Sequence, residues 1–307
     1  MPPAWDPAEL ERFLDLGADR PALLERMLAG TGARTRRARL AGCEHLAVRF
    51  DGRPDPAIRD RILVAHWDRA PLTPGALDNS AACLQLVALV RRVAARGGDP
   101  GLLVLFTDAE ERAAAGAKDQ GAFALGRALA SMAGPRPAVF AFDVTGRGDA
   151  PIVSESPGDL LGRGGLGVGR QGREFSLLRD AAWTVAREAS GGLARKLPAP
   201  WTDDLGFTLG GLPAVAITLL PRVEADALEE GIRTIRESGR ELAPGARHGP
   251  RGGRAADDAE TLLGAAWPAT WRLLHGAGDD ASALEPSAFD LMARIMDGLA
   301  ALRLPRR

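Results

Sequence analysis

Short apolar runs constrain the fold more than any other feature of this sequence. Four of them stand out: RILVAH, GLLVLFTD, PAVFAFD and PAVAITLL. A strand with one solvated face alternates apolar and polar residues, so runs without that alternation predict strands that are covered on both faces. We therefore expect a sheet that is buried between two layers of helices.

Predicted helices alternate with these strands. They include NSAACLQLVALVRRVAARGG, the stretch from about 114 to 133, and REFSLLRDAAWTVAREAS. Repeated alternation predicts an α/β fold, a three-layer αβα sandwich with a mixed, mostly parallel central sheet. At 307 residues, one catalytic domain spanning 1–307 is expected. The charged segment at about 222–258 is predicted to be an insertion and a candidate lid.

Composition excludes several classes of partner. The chain has 39 Lys+Arg and 40 Asp+Glu, so its net charge of -1 predicts neither a nucleic-acid nor a membrane partner. Apolar runs end well before the ~20 residues of a membrane span, and the acidic N-terminal stretch is unlike a secretory signal. We therefore predict a cytoplasmic location. Cys43 and Cys83 are too few for a disulfide framework or a thiolate metal site.

Metal-binding residue types follow the predicted strands. His66 and Asp68 lie in AHWD, Glu110 and Glu111 in TDAEE, and Asp143 in AFDV. In an α/β sheet, ligands bind at the carboxyl ends of the strands, so these residues are expected to converge at one edge. Two further candidates are Asp78 in GALDNSA and His275 in LLHGAGDD. Imidazole and carboxylate without thiolate favour a catalytic zinc, cobalt or manganese site over a structural zinc site.

The spacing of these residues suggests separate tasks. His66 and Asp68 point to the same side of an extended strand, so Asp68 can accept the imidazole N–H that is not on a metal. Adjacent glutamates suit a division between metal binding and proton transfer. Simpler interpretations stay open at this point: Asp78 as a helix cap, the glutamates as the acidic start of a helix, and His275 as part of a helix-ending turn.

Six motifs then carry a family resemblance. In chain order they are AHWD, PGALDNSAA, FTDAEE with Gly116 five residues after the second Glu, FDVTG, WTDDLGFTLGGLPAVAI and LHGAGDD. Together they resemble the zinc metallopeptidase family of bacterial leucine aminopeptidases, aminopeptidase Y, glutamate carboxypeptidase II and the glutaminyl-peptide cyclases. The matches extend from Ala65 to Asp280. The resemblance implies a fold of the zinc-dependent exopeptidase type.

The resemblance also implies a set of metal ligands. By it, Asp78 bridges two metal ions, His66 and Asp143 complete the first coordination sphere, and Glu111 and His275 complete the second. Two Zn2+ per chain are the implied cofactors, with Co2+ or Mn2+ as alternatives.

Further roles follow from the same resemblance. Glu110 is implied to be the general base, Asp68 the partner of His66, and Asp203 and Asp279 acidic residues that support the site. A cis peptide bond between Asp78 and Asn79 is also implied.

Three departures from the family pattern stand out. Thr202, Asp203 and Asp204 occupy the positions where relatives commonly have Ser-Asp-His, so an imidazole is missing. The chain has no Tyr, which some relatives use to polarise the scissile carbonyl. Ala113 and Ala114 replace the usual Gly-Leu, which is expected to reshape the pocket wall.

Among the implied functions, the leading one is a two-zinc aminopeptidase acting on peptides or small aminoacyl substrates. Glutaminyl-peptide cyclisation with one zinc is the alternative, and a non-catalytic binding domain on the same fold is the third. The Asp78–Asn79 step and the Gly116 spacing favour the peptidase, and retention of five candidate ligands disfavours a non-catalytic domain. The sequence leaves the preferred N-terminal residue, the native metal and the oligomeric state open.

Overall fold

The computed structural model describes residues 5–111, 116–132, 134–157, 169–238 and 260–306. Its eight strands are β1 (Arg34–Leu40), β2 (Cys43–Arg49), β3 (Arg61–His66), β4 (Leu102–Thr107), β5 (Ala138–Phe142), β6 (Ala150–Ser154), β7 (Arg195–Leu197) and β8 (Ala214–Leu220). The α-helices are α1 (Pro7–Leu14), α2 (Arg20–Leu28), α3 (Ala81–Ala95), α4 (Gly121–Ser131), α5 (Arg170–Ala189), α6 (Asp203–Leu209), α7 (Arg222–Glu237), α8 (Ala269–Arg272) and α9 (Pro286–Ala300).

One mixed sheet contains all of these strands, in the order β1-β2-β4-β3-β5-β8-β6-β7. The central strands β4, β3, β5 and β8 are parallel to one another. Antiparallel pairs join β1 to β2, β2 to β4, and β6 to β8. Because the central strands run in one direction, their carboxyl ends meet at a single edge of the sheet.

Both faces of the sheet are buried, as the uninterrupted apolar runs predicted. On β3, Ile62 and Val64 pack with Phe207 of α6 on one face. Leu63 and Ala65 belong to the larger core on the other face, which also holds side chains of α3, α5 and α9. The three-layer αβα fold class is therefore confirmed.

The edge strands β1 and β7, and β6 beside β7, were not predicted from the sequence. β1 has the sequence RTRRARL, and none of its residues is fully buried. β7 has three residues, and β6 is fully buried but short. The helix expected from about residue 114 begins later. Gln120 has an extended backbone, and α4 starts at the next residue, Gly121.

The first part of the predicted insertion is helical. Helix α7 turns its apolar side inward and buries Ala225, Leu228, Ile232 and Ile235. Residues 239–259, which make up the rest of the candidate lid, lie outside the described residues. A lid therefore remains a prediction for that part of the chain.

Candidate metal centre

The candidate site residues lie at the carboxyl ends of three neighbouring parallel strands. His66 is the last residue of β3, and Asp143 directly follows β5. Glu110 and Glu111 lie just after the end of β4. Since β3 pairs with both β4 and β5, the sheet itself brings these side chains to one place.

Two more residues reach the same edge from loops. Asp78 lies in the turn Ala76–Ser80 that leads into α3, and His275 follows α8. Backbone conformations with positive φ, which non-glycine residues seldom adopt, occur at His275 (59°), at Ala109 (67°) before Glu110, and at Val144 (51°). Such backbone at a convergence of polar side chains is typical of functional sites.

The side chains form two groups that share Asp78. His66 Nε2 lies 3.2 Å from Asp78 Oδ1 and 3.6 Å from Asp143 Oδ1. His275 Nε2 lies 3.1 Å from Asp78 Oδ2 and 3.3 Å from Glu111 Oε1. Each oxygen of Asp78 therefore faces a different group.

The polar atoms in these groups fit a pair of cations. Several are buried without a hydrogen bond of acceptable geometry, namely His66 Nε2, Asp78 Oδ1, Asp143 Oδ1 and both carboxylate oxygens of Glu111. In the described part of the chain, no Lys or Arg forms an ion pair with these carboxylates. Buried polar atoms almost always have partners, and buried carboxylates need positive charge nearby. Metal ions would supply both.

Electrostatics point the same way. Burial alone would lower the pKa of His66, but the surrounding carboxylates raise that pKa well above its usual value. Burial also opposes protonation of His275, yet the nearby carboxylates of Asp78 and Glu111 raise its pKa to about 11. Burial and the charge of Asp78 raise the pKa of Glu111 to about 8. The cluster thus retains protons where cations would otherwise balance its negative charge.

Asp68, which follows β3, connects the end of that strand to the turn after β4. Its Oδ1 and Oδ2 accept the backbone N–H groups of Glu110 and Glu111 at 3.2 and 3.0 Å. His66 Nδ1 lies 3.2 Å from the Asp68 backbone oxygen and 3.5 Å from Oδ1. Sequence reasoning placed Asp68 beside His66 only, whereas the structure shows that it also holds the turn of the two glutamates.

Comparison with protein families decides the class of this fold. The model of peptidase family M28 matches residues 51–299, which is most of the chain. The chain belongs to peptidase family M28. Its scaffold is therefore that of a metal-dependent hydrolase, and the family resemblance drawn from the motifs is confirmed. No curated protein sequence matches the chain significantly.

Solved structures share the M28 fold along nearly the whole chain. The LapA aminopeptidase of Legionella pneumophila has a TM-score of 0.63 and 13% identity, covering 95% of this chain and 69% of its own. Glutaminyl cyclase of Tannerella forsythia has a TM-score of 0.60 and 16% identity, covering 96% and 97%. A Zn-dependent exopeptidase of Parabacteroides distasonis has a TM-score of 0.59 and 12% identity, covering 96% of each chain. At these identities the similarity shows the fold alone.

Acidic residues around the candidate site hold its loops. Asp279 accepts the backbone N–H groups of Leu77 and Asp78 at 2.5 and 3.3 Å, which fixes the turn that carries the shared carboxylate. Asp203 accepts the hydroxyl of Thr107, the last residue of β4, at 2.6 Å. The peptide bond between Asp78 and Asn79 is cis, as the resemblance implied.

Several expectations about this M28 chain stay predictions. Ala113 and Ala114 lie outside the described residues. The cytoplasmic location and the absence of nucleic-acid partners are likewise predictions. Among the described helices, none combines the length and apolar character needed to cross a membrane.

Asp204 stands where relatives commonly have an imidazole. We expect its buried carboxyl group to make the free energy of unfolding depend on pH. It is fully buried, accepts the backbone N–H of Thr202 at 3.1 Å, and has a pKa raised by burial to about 8. The unfolded chain loses this proton near pH 4. Stability from Asp204 is therefore complete below about pH 4 and is lost as the pH rises through 8, with a slope of up to about 1.4 kcal/mol per pH unit.

Asp204→Asn should flatten that dependence, because the amide does not ionise. Urea denaturation at intervals from pH 5 to pH 8 measures it. Asp290→Asn, which changes an exposed carboxyl on α9, is the matched control. An unchanged slope in Asp204→Asn would contradict the assignment.

Proposed function

We propose that this M28 chain is a two-zinc aminopeptidase that releases the N-terminal residue from peptides. The observation that carries the proposal is the carboxylate of Asp78, because its two oxygens face two different groups of candidate ligands. Imidazole and carboxylate donors suit catalytic zinc, and the same donors accept Co2+ or Mn2+. In this proposal His66 and Asp143 hold one cation, and Glu111 and His275 hold the other.

Glu110 is proposed as the residue that moves the proton. When bound, the cations would lower the pKa of the attacking water and polarise the scissile carbonyl. Glu110 belongs to neither ligand group, so its carboxylate remains available as a base. It would accept a proton from the water at Oε2 and deliver it to the nitrogen of the leaving amine. Burial raises the pKa of Glu110 well above its usual value.

Charge supports a substrate with a free amino terminus. The described site is rich in carboxylates, and no Lys or Arg pairs with them there. A C-terminal carboxylate finds no cationic side chain among the described residues of the site. Two bound dications would offset only part of the charge of its carboxylates, which leaves the site attractive to an α-ammonium group. These charges favour an aminopeptidase over a carboxypeptidase.

A substrate panel tests the proposal. Zinc-loaded protein should release the first residue from aminoacyl and peptidyl substrates and leave their N-acetylated counterparts, which are the matched controls, intact. Chelator should stop the reaction, and Zn2+, Co2+ or Mn2+ should restore it. Cyclisation of glutaminyl peptides without hydrolysis of the others would instead identify a glutaminyl cyclase, an activity that a structural neighbour carries in its name. Full turnover by verified metal-free protein would contradict both activities.

A further inference from the structure

A buried amide lies beside the proposed base. Gln120 is 5% exposed, and its Nε2 donates a hydrogen bond to Glu110 Oε1 at 3.0 Å. It stands directly before α4, where a polar side chain commonly caps the helix, yet its side chain makes no capping hydrogen bond. Within the described residues, the bond to Glu110 is the only hydrogen bond that the side chain of Gln120 forms.

The backbone on either side of Gln120 is closely packed. A Cβ on Gly121 would lie 2.3 Å from the Asp108 carbonyl oxygen and 2.4 Å from His45 Cε1. A Cβ on Gly206 of α6 would lie 3.0 Å from Gln120 Oε1. Both glycines permit a close approach that side chains would prevent, so the start of α4 is fixed against β4 and α6.

The contact leaves the two carboxylate oxygens of Glu110 in different situations. Oε1 accepts from Gln120, while Oε2 receives no hydrogen bond from the described residues. A glutamate side chain has several rotatable bonds, and holding it in one orientation otherwise costs conformational entropy. A neutral amide donor provides that orientation without adding charge to the site.

We propose that Gln120 is the positioning residue of Glu110, holding Oε1 so that Oε2 is presented to the attacking water. The inference rests on the proposed role of Glu110 as the base. Gln120 forms no hydrogen bond with a residue of either ligand group in the described part of the chain, so it is expected to act on the rate through Glu110 and not through metal binding. A base held in the productive geometry by a neighbouring hydrogen bond reacts faster than one that samples several rotamers.

Gln120→Met tests the proposal because it keeps the length of the side chain and removes the donor. We expect kcat to fall about 10-fold, the effect of losing one hydrogen bond to a charged group. KM should stay within about 2-fold, and the metal content should not change. Gln85→Met is the matched control, since Gln85 of α3 is also buried but its amide donates to the Thr145 carbonyl oxygen and not to Glu110. It should keep wild-type kcat per folded molecule.

A double-mutant cycle separates positioning from a structural role. In a Glu110→Gln background, Gln120→Met should produce no further loss of kcat, because the base through which it acts is already gone. Gln120→Glu keeps the shape of the side chain but replaces the donor nitrogen by an oxygen, so it should lower kcat at least as much as Gln120→Met. It replaces the Met variant in the test if that variant fails to fold. Wild-type kcat in either variant, or equal losses in both backgrounds, would overturn the inference and leave the aminopeptidase proposal standing. Wild-type turnover in the Glu110→Gln single variant would overturn the role of Glu110 as the base, and this inference with it.

Discussion

Glu110→Gln is expected to lower turnover by about 10² to 10⁴-fold, the usual effect of losing a general base. The amide has nearly the shape of the carboxylate but cannot accept the proton of the attacking water. Because Glu110 belongs to neither group of candidate ligands, the metal content should stay at the wild-type level. Steady-state kinetics and metal analysis of the same preparation measure both quantities. KM should change little, since the substitution removes an interaction of the transition state.

Glu111→Gln is the matched control, because the same chemical change one residue later should produce a different defect. Glu111 Oε1 lies 3.3 Å from His275 Nε2, within the second ligand group. A neutral amide is a weaker donor than a carboxylate, so one metal position should lose affinity, and activity should recover partly at high added metal. Rescue of Glu110→Gln by metal, without rescue of Glu111→Gln, would mean that the two roles are exchanged. Wild-type turnover in both variants would contradict the hydrolase mechanism.

The sequence predicts four strands that are covered on both faces, β3, β4, β5 and β8, but not the buried strand β6. On β3, the neighbouring residues Leu63 and Val64 point to opposite faces of the sheet, and both are fully buried. Because both faces are covered, both residues are apolar, and this run of apolar residues is visible in the sequence itself. The edge strand β1 lacked such a signal, because it contains Arg at four of seven positions and pairs on one side only. Its conformation is set by pairing with β2, a tertiary interaction that local sequence does not encode.

The candidate site was predictable in its membership but less so in its connections. His66, Glu111 and Asp143 follow strand ends, and that position brings them together. The hydrogen bonds from the backbone of the glutamates to Asp68 depend on how the loop after β4 turns, which spacing does not specify. Gln120 lies outside every recognised motif, and the only sequence signal was a polar residue before Gly121 at the start of a helix.

Asp78→Asn is expected to have the broadest effect on metal binding, because Asp78 is the one residue that belongs to both groups. Two neighbouring dications repel each other, and a carboxylate between them offsets that repulsion with its negative charge. The amide offers one oxygen and no charge, so affinity should fall at both positions. Activity should fall by about 10³-fold or more, since the cations supply several kcal/mol of transition-state stabilisation.

Asp143→Asn provides the comparison, because Asp143 belongs to the His66 group alone. Titration with Zn2+ against a competing chelator should show two weakened positions in Asp78→Asn, and one weakened with one near-normal position in Asp143→Asn. Circular dichroism of each variant without metal checks that the fold is retained. If Asp78→Asn weakened a single position while the other bound as in the wild type, Asp78 would not be shared between the two ions and would belong to the weakened position alone.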